Sequence, residues 1–197
     1  MKATVSIVED ERDTREQLAQ LIDATADLRC LASYADAESA LQNVPRRLPD
    51  VLLMDLNLPG LSGVECVRQF KIKLPKLKIL MLTKYEQADH VFQALRAGAD
   101  GYLLKRKLPS QLLQAIQEVR QGGAPMSSEV AARVIDFFRE HESIRAELTQ
   151  LSQREAQVLE YLANGYRYKE IAAALGIAYH TVNGYLKRIY EKLHVHS

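Results

Sequence analysis

The chain is nearly devoid of cysteine: Cys30 and Cys66 are the only two among 197 residues, and neither sits in a CxxC pair or any other metal-ligand spacing. A disulfide framework and a zinc site are therefore excluded, and the two thiols read as reduced core residues. An excess of charge is missing too. Lys and Arg total 26 against 25 Asp and Glu, a net charge of +1 that argues against a basic nucleic-acid coat or a polyanionic tail, while leaving local patches open. No apolar run approaches the roughly 20 residues that a membrane span needs. The opening stretch MKATVSIVEDERD meets acids where a secretory leader would continue apolar. The expectation is a soluble, cytoplasmic protein with no membrane segment. With 47% hydrophobic residues, one or two packed domains are affordable and general disorder is not an option.

Over residues 1–121, short apolar runs alternate with amphipathic stretches. Thr4–Val8, Leu28–Ala32, Val51–Met54, Ile79–Leu82 and Tyr102–Leu104 read as buried strands. Thr14–Ala24, Ala37–Val44, Gly63–Lys71, Gln87–Ala97 and Pro109–Arg120 carry helical spacing. Such alternation predicts an α/β domain, a doubly wound five-stranded parallel sheet, with sites outside the carboxyl ends of its strands. Gln121-Gly-Gly-Ala-Pro125 is the clearest break. Ser127 or Ser128 then caps an expected linker helix running to about Ala146, with Val130, Val134, Phe137 and Phe138 on one side. From Thr149 the pattern is purely helical. Ser152-Gln-Arg-Glu155 is a capping box, Asn164-Gly165 a stop, and two further helices cover about Tyr168–Leu175 and Tyr179–Leu193. Helix, glycine turn, helix is the shape of a helix-turn-helix. The boundaries drawn are 1–122, a linker over 123–148, and an all-α unit over 149–197.

Acids sit at two of the strand ends, Glu9 and Asp10 after the first and Asp55 after the third. Three carboxylates in one crevice repel unless a cation joins them, and hard oxygen ligands favour Mg²⁺. Thr83 and Lys105, after the fourth and fifth strands, complete such a site. The same loop disfavours a flavin phosphate, because Glu-Asp-Glu-Arg-Asp repels a dianion that needs backbone N–H groups.

The segments SIVEDERDTREQL, LLMDLNLPGLSGVE, MLTKYEQ and AGADGYLLK resemble the receiver domain of bacterial two-component response regulators. LTQLSQREAQVLEYLANGYRYKEIAAALGIAYHTVNGYLKRIYEKLHV resembles the LuxR-type helix-turn-helix, and the five ordered motifs together are similar to the NarL/FixJ class. That resemblance implies a transcriptional regulator, not an enzyme. Asp55 matches the aspartate phosphorylated by a sensor histidine kinase. Asp10 and Asp55 match ligands of Mg²⁺, with Glu9 assisting and Asn57 offering its backbone carbonyl. Lys105 matches the phosphoryl-pairing lysine, and Thr83 and Tyr102 the switch pair that follows the phosphate. An Asp-x-Asp phosphatase is disfavoured because position 57 is Asn. Lys84 departs from the family, standing after the switch Thr where a small or apolar residue is usual. Two readings of it stay open, a second cation beside the phosphoryl group or a chain lying in water.

Residues 149–197 carry six Lys or Arg and four Asp or Glu, a net of +2. Phosphate neutralisation supplies much of DNA affinity, so one such module holds DNA weakly and a homodimer on promoter DNA, formed on phosphorylation, is expected. The resemblance places base reading on Asn183, Gly184 and Lys187, and phosphate contacts on Lys169, Thr181 and Arg188. Val158, Leu162, Ile171, Leu175, Val182, Leu186 and Ile189 read as packed interior. Arg167 and Ala178 stand where a capping Ser or Thr is usual, Asn183 replaces a Lys and Tyr185 a His. Tyr166, Tyr168, Tyr179 and Tyr185 enrich the unit in a residue common at protein interfaces. The alternative is therefore an output acting mainly through protein–protein contacts.

Overall fold

The computed structural model describes residues 2–84, 88–105, 111–140 and 151–194. The β-branched and Leu-rich runs become β1 (Ala3–Val8), β2 (Leu28–Tyr34), β3 (Val51–Asp55), β4 (Lys78–Thr83) and β5 (Gly101–Leu104). All pair in parallel, in the order β2-β1-β3-β4-β5. Between them lie α1 (Arg12–Asp23), α2 (Ala37–Asn43) with a 3-10 turn at Val44–Arg46, α3 (Gly63–Lys73), α4 (Ala88–Arg96) and α5 (Leu112–Arg120). The chain leaves β1 for β2 on one side and for β3 on the other, so the ends of β1 and β3 are neighbours at the point where the winding reverses.

Alternation along each strand divides the core between the two faces of the sheet. Leu52 and Met54 of β3, and Ile79 and Met81 of β4, pack with Phe70 of α3 and Val91 and Leu95 of α4. Val51, Leu53, Leu80 and Leu82 face the other way, onto Leu18 and Ile22 of α1 and Ile116 and Val119 of α5. The expected starts at Gln87 and Pro109, and the expected helix end near Ala146, lie outside the described residues, as do the side chains of Phe137 and Phe138.

Helix α6 (Ser128–Glu140) begins where Ser127 Oγ accepts the Val130 N–H at 3.4 Å. It is followed by α7 (Gln153–Ala163), α8 (Tyr168–Leu175) and α9 (Tyr179–His194). The capping box of α7 is present: Ser152 Oγ accepts from Glu155 N–H at 3.3 Å, and the Glu155 carboxylate accepts from Ser152 N–H at 2.6 Å. Arg167 lacks an acceptor, yet its own N–H reaches Glu170 Oε2 at 2.7 Å, so half of the reciprocal arrangement survives at α8. Gly176, left-handed at φ +65°, closes that helix. Of the seven residues expected inside, all are buried except Leu175, which is half-buried.

The connecting segment is packed on both of its neighbours. Helix α6 packs on both α4 and α7, and α9 reaches α4. The core on the α3–α4 face consequently runs on without a break through Tyr102, Met126, Val130 and Val134 to Val158, Leu186 and Tyr190. Among the described residues no helix is long and apolar enough to cross a membrane.

Gly63, the first residue of α3, sets how closely this helix approaches β3. A Cβ there would lie 2.0 Å from the Asp55 carbonyl oxygen and 3.0 Å from that of Leu56. Both are backbone atoms held in the sheet and turn, so neither can yield cheaply. Gly63→Ala is expected to cost about 3 kcal/mol, the upper end for overpacking, read as a lowered urea midpoint; an unchanged midpoint would contradict the close approach.

Candidate functional site

Register places the site. Val8 of β1 stands opposite Met54 of β3, so the residues that follow, Glu9 and Asp55, emerge side by side. Asp55 is opposite Leu82, and Thr83 opposite Leu104, which brings Thr83 and Lys105 to the same end of the sheet. Carboxylate oxygens of Glu9, Asp10 and Asp55 all lie within 4.8 Å of one another. Glu9 and Asp55 are buried and Asp10 is exposed, leaving one open side to the cluster.

Two buried carboxylates at this distance need a counter-charge. Lys105 supplies it, with Nζ 2.5 Å from Glu9 Oε2 and 2.8 Å from Asp55 Oδ2. Burial pushes the Glu9 carboxyl above its ordinary value, the Lys105 contact pulls it back, and the Asp55 carboxylate adds to the rise. The donors are all hard oxygens, and the pocket has more negative than positive charge, a chemistry suited to a divalent cation.

Two residues of this site were not legible in the motifs. Arg15, on α1, donates from its guanidinium to the carbonyl oxygens of Glu9 at 2.6 Å and Asp10 at 3.0 Å, fixing the loop that carries both acids. Glu11 accepts the Thr14 hydroxyl at 2.8 Å and the Lys84 ammonium at 2.7 Å. Lys84 is thus held by an ion pair. It ties the β4 end to the β1 end, with both partners half exposed or more. The pairing lowers the Glu11 carboxyl and raises the Lys84 ammonium. A helical-spacing argument finds neither: Arg15 reaches back five and six residues to loop carbonyls, and Lys84 stands 73 positions from Glu11.

The remaining residues fall as follows. Asn57 is exposed just beyond β3, beside a cleft of about 280 Å³ also lined by Ser62, Arg68 and His90. Thr83 and Tyr102 are fully buried, and burial raises the Tyr102 phenol while Thr83 acts to lower it. In the helical unit Lys169, Lys187 and Arg188 are exposed, and Thr181, Asn183 and Gly184 half-buried. Arg188 folds back on its own helix, its Nε–H on Gly184 O at 3.2 Å and its guanidinium 4.6 Å from the Tyr185 ring centre. Lys187 is 3.9 Å from Glu191. The tyrosines divide: Tyr161 and Tyr166 pair edge to face at 5.1 Å, whereas Tyr168 and Tyr179 turn toward the first 126 residues of the same chain.

Comparison with known proteins accounts for both halves. Residues 5–117 match the response regulator receiver domain, and residues 149–197 match bacterial regulatory proteins of the luxR family. The uncharacterized transcriptional regulatory protein YxjL of Bacillus subtilis (strain 168) is 34% identical, over 97% of this chain and 89% of its own. The transcriptional regulatory protein UhpA of Escherichia coli (strain K12) is also 34% identical, over 98% and 92%. Among solved structures, a LuxR-family two-component response regulator from Aurantimonas sp. SI85-9A1 superposes with a TM-score of 0.66 at 31% identity, covering 69% of this chain and 97% of that one.

The raised Glu9 carboxyl gives a pH prediction. Between the ordinary value of 4.5 and its higher folded value, the folded protein holds more of this proton than the unfolded chain does. Stability contributed at Glu9 therefore falls as pH rises through that window. In urea denaturation without divalent cations, Glu9→Gln should gain on the wild type as pH is raised from 4.5 toward neutrality. A difference that stays flat or shrinks would contradict the assignment.

Proposed function

We propose, for a chain that belongs to the two-component response regulators coupling a receiver to a LuxR-type DNA-binding domain, that Asp55 is its phosphoryl acceptor and that Glu9, Asp10, Asp55 and Asn57 hold Mg²⁺. The chain is a DNA-binding transcriptional regulator rather than an enzyme. What supports the site assignment is the convergence of three carboxylates within 4.8 Å, bridged by one buried ammonium.

In the proposed reaction a carboxylate oxygen of Asp55 attacks phosphorus on the phosphohistidine of a sensor kinase; the P–O bond forms as the P–N bond breaks. Mg²⁺, when bound, would supply positive charge against the transferred group. Asp10 and Asp55 would hold it directly, Glu9 would assist, and Asn57 would offer its backbone carbonyl. Lys105 exchanges one carboxylate contact for a phosphoryl oxygen, Thr83 hydrogen-bonds another, and Tyr102 follows Thr83. The working division is 1–122 for phosphoryl acceptance, 123–148 for connection and 149–197 for DNA, in a cytoplasmic protein that pairs as a homodimer on promoter DNA when phosphorylated. Lys169, Thr181 and Arg188 are assigned to phosphates, and Asn183, Gly184 and Lys187 to base edges. The rival output, a tyrosine surface for a foreign protein, loses support because Tyr168 and Tyr179 already contact this chain.

Acetyl phosphate with Mg²⁺ should add one phosphoryl group to the wild type and none to Asp55→Asn, read by intact mass; labelling of the variant would remove Asp55 from this role. A cation held beside the acyl phosphate by Glu11 would hinder the hydrolytic water. Lys84→Ala should accordingly lose its phosphoryl group faster than wild type, and equal or slower decay would leave the tie without effect on lifetime. On DNA selected by the phosphorylated protein, Asn183→Ala should relax preference at one base step by about 1–3 kcal/mol. Lys187→Ala should weaken binding to all sequences and flatten its salt dependence; unchanged binding in both variants would contradict the assignment of α9.

A further inference from the structure

Strand β5 is an edge of the sheet, and an edge strand leaves backbone donors and acceptors to be covered. Here two residues of the connecting segment cover it. Met126 lies beside Tyr102 in a parallel bridge, and Tyr102 N–H donates to the Pro125 carbonyl at 3.0 Å. Gly101 makes the fit possible, since a Cβ there would meet the Pro125 ring at 2.8 Å.

The same two residues are gripped from the opposite side by the helical unit. The Pro125 carbonyl accepts a second hydrogen bond, from the Tyr190 hydroxyl at 3.1 Å, using its remaining lone pair. Met126 N–H donates to the Tyr168 hydroxyl at 3.1 Å. Further out, the Tyr179 hydroxyl reaches Glu118 of α5 at 3.3 Å. Tyr102, Met126 and Tyr190 are all buried, so an unmade bond among the inner three is not replaced by water. Tyr102 stands opposite Met81 of β4, two residues before Thr83, which is buried at the sheet end that carries Asp55.

We propose that Pro125–Met126 is a hydrogen-bonded latch, held on one side by the backbone of Tyr102 and on the other by the hydroxyls of Tyr168 and Tyr190, through which the state of the acid pocket governs the seating of the helical unit. The proposal rests on the receiver reading for the direction of the signal, and the latch itself stands on the contacts. Movement of Tyr102 with Thr83 strains the Tyr102–Pro125 bond, and the shared carbonyl passes that strain to Tyr190. Coupling of this kind is reciprocal: whatever loosens the latch from the tyrosine side also favours the phosphorylated pocket. The tyrosines that distinguish this helical unit thereby gain an internal partner.

The test uses the full chain and needs no DNA. Tyr168→Phe and Tyr190→Phe, made separately, keep the rings and remove one hydroxyl each. Hydrogen exchange of the peptide spanning Tyr102, followed by mass spectrometry, should quicken by about tenfold in each variant. The rate of labelling by acetyl phosphate with Mg²⁺ should rise in the same order. Tyr166→Phe, whose ring pairs with Tyr161 away from the segment, should match the wild type. Variants that retain the wild-type circular dichroism yet leave both rates unchanged would overturn the latch. Phosphorylated wild type supplies an arm independent of folding in any variant: exchange at Tyr102 must quicken there too, and unaltered exchange in fully labelled protein would also overturn it. A wild type that takes no phosphoryl group would instead sink the receiver assignment, leaving the exchange comparison of the variants valid for the latch.

Discussion

The Lys105 ammonium, seated between the carboxylates of Glu9 and Asp55, is the contact on which the rest of the arrangement turns. It joins the end of β5 to those of β1 and β3, across a sheet in which β4 lies between. Without a cation, two buried carboxylates at neighbouring strand ends would drive those ends apart or take up a proton. One ammonium is less charge than the cluster asks for, with Asp10 on its open side. The pocket is thus held together and still short of positive charge, a chemistry that suits a divalent cation.

Holding that pocket takes backbone as well as charge. Arg15 clamps the two carbonyls of the acid loop, and Gly63 lets α3 start against the carbonyl of Asp55. These contacts limit how far the acids can relax. The continuous core on the α3–α4 face runs on past the sheet edge to α6 and the helical unit.

Much of this was legible in the residues. The inner strands announced themselves because both faces of the sheet are covered there, so β3 and β4 are nearly apolar throughout; the capping box at Ser152 and Glu155 and the stop at Gly176 are local chemistry that sequence displays directly. The acids, Thr83 and Lys105 were legible because each ends or follows a strand, and parallel strands end together. What stayed hidden depends on partners distant in the chain. Lys84 is an isolated cation until Glu11, 73 positions earlier, is brought beside it. The segment 123–148 reads as a linker from its glycines and proline, but its seat on β5 is fixed by Gly101 and by tyrosines more than 40 positions later. Tyr168 and Tyr179 contact the first domain of the same chain, and sequence composition cannot tell a contact within the chain from one outside it.

The account stands or falls on whether Lys105 changes partners when Asp55 carries a phosphoryl group. A crystal structure of the full chain with Mg²⁺ and beryllium trifluoride, a stable mimic of that group, measures this directly. The account predicts a cation held by Asp10 and Asp55, and Lys105 moved from the carboxylates to a fluoride on Asp55. A cation bound elsewhere, or Lys105 still bridging Glu9 and Asp55 beside the mimic, would contradict it.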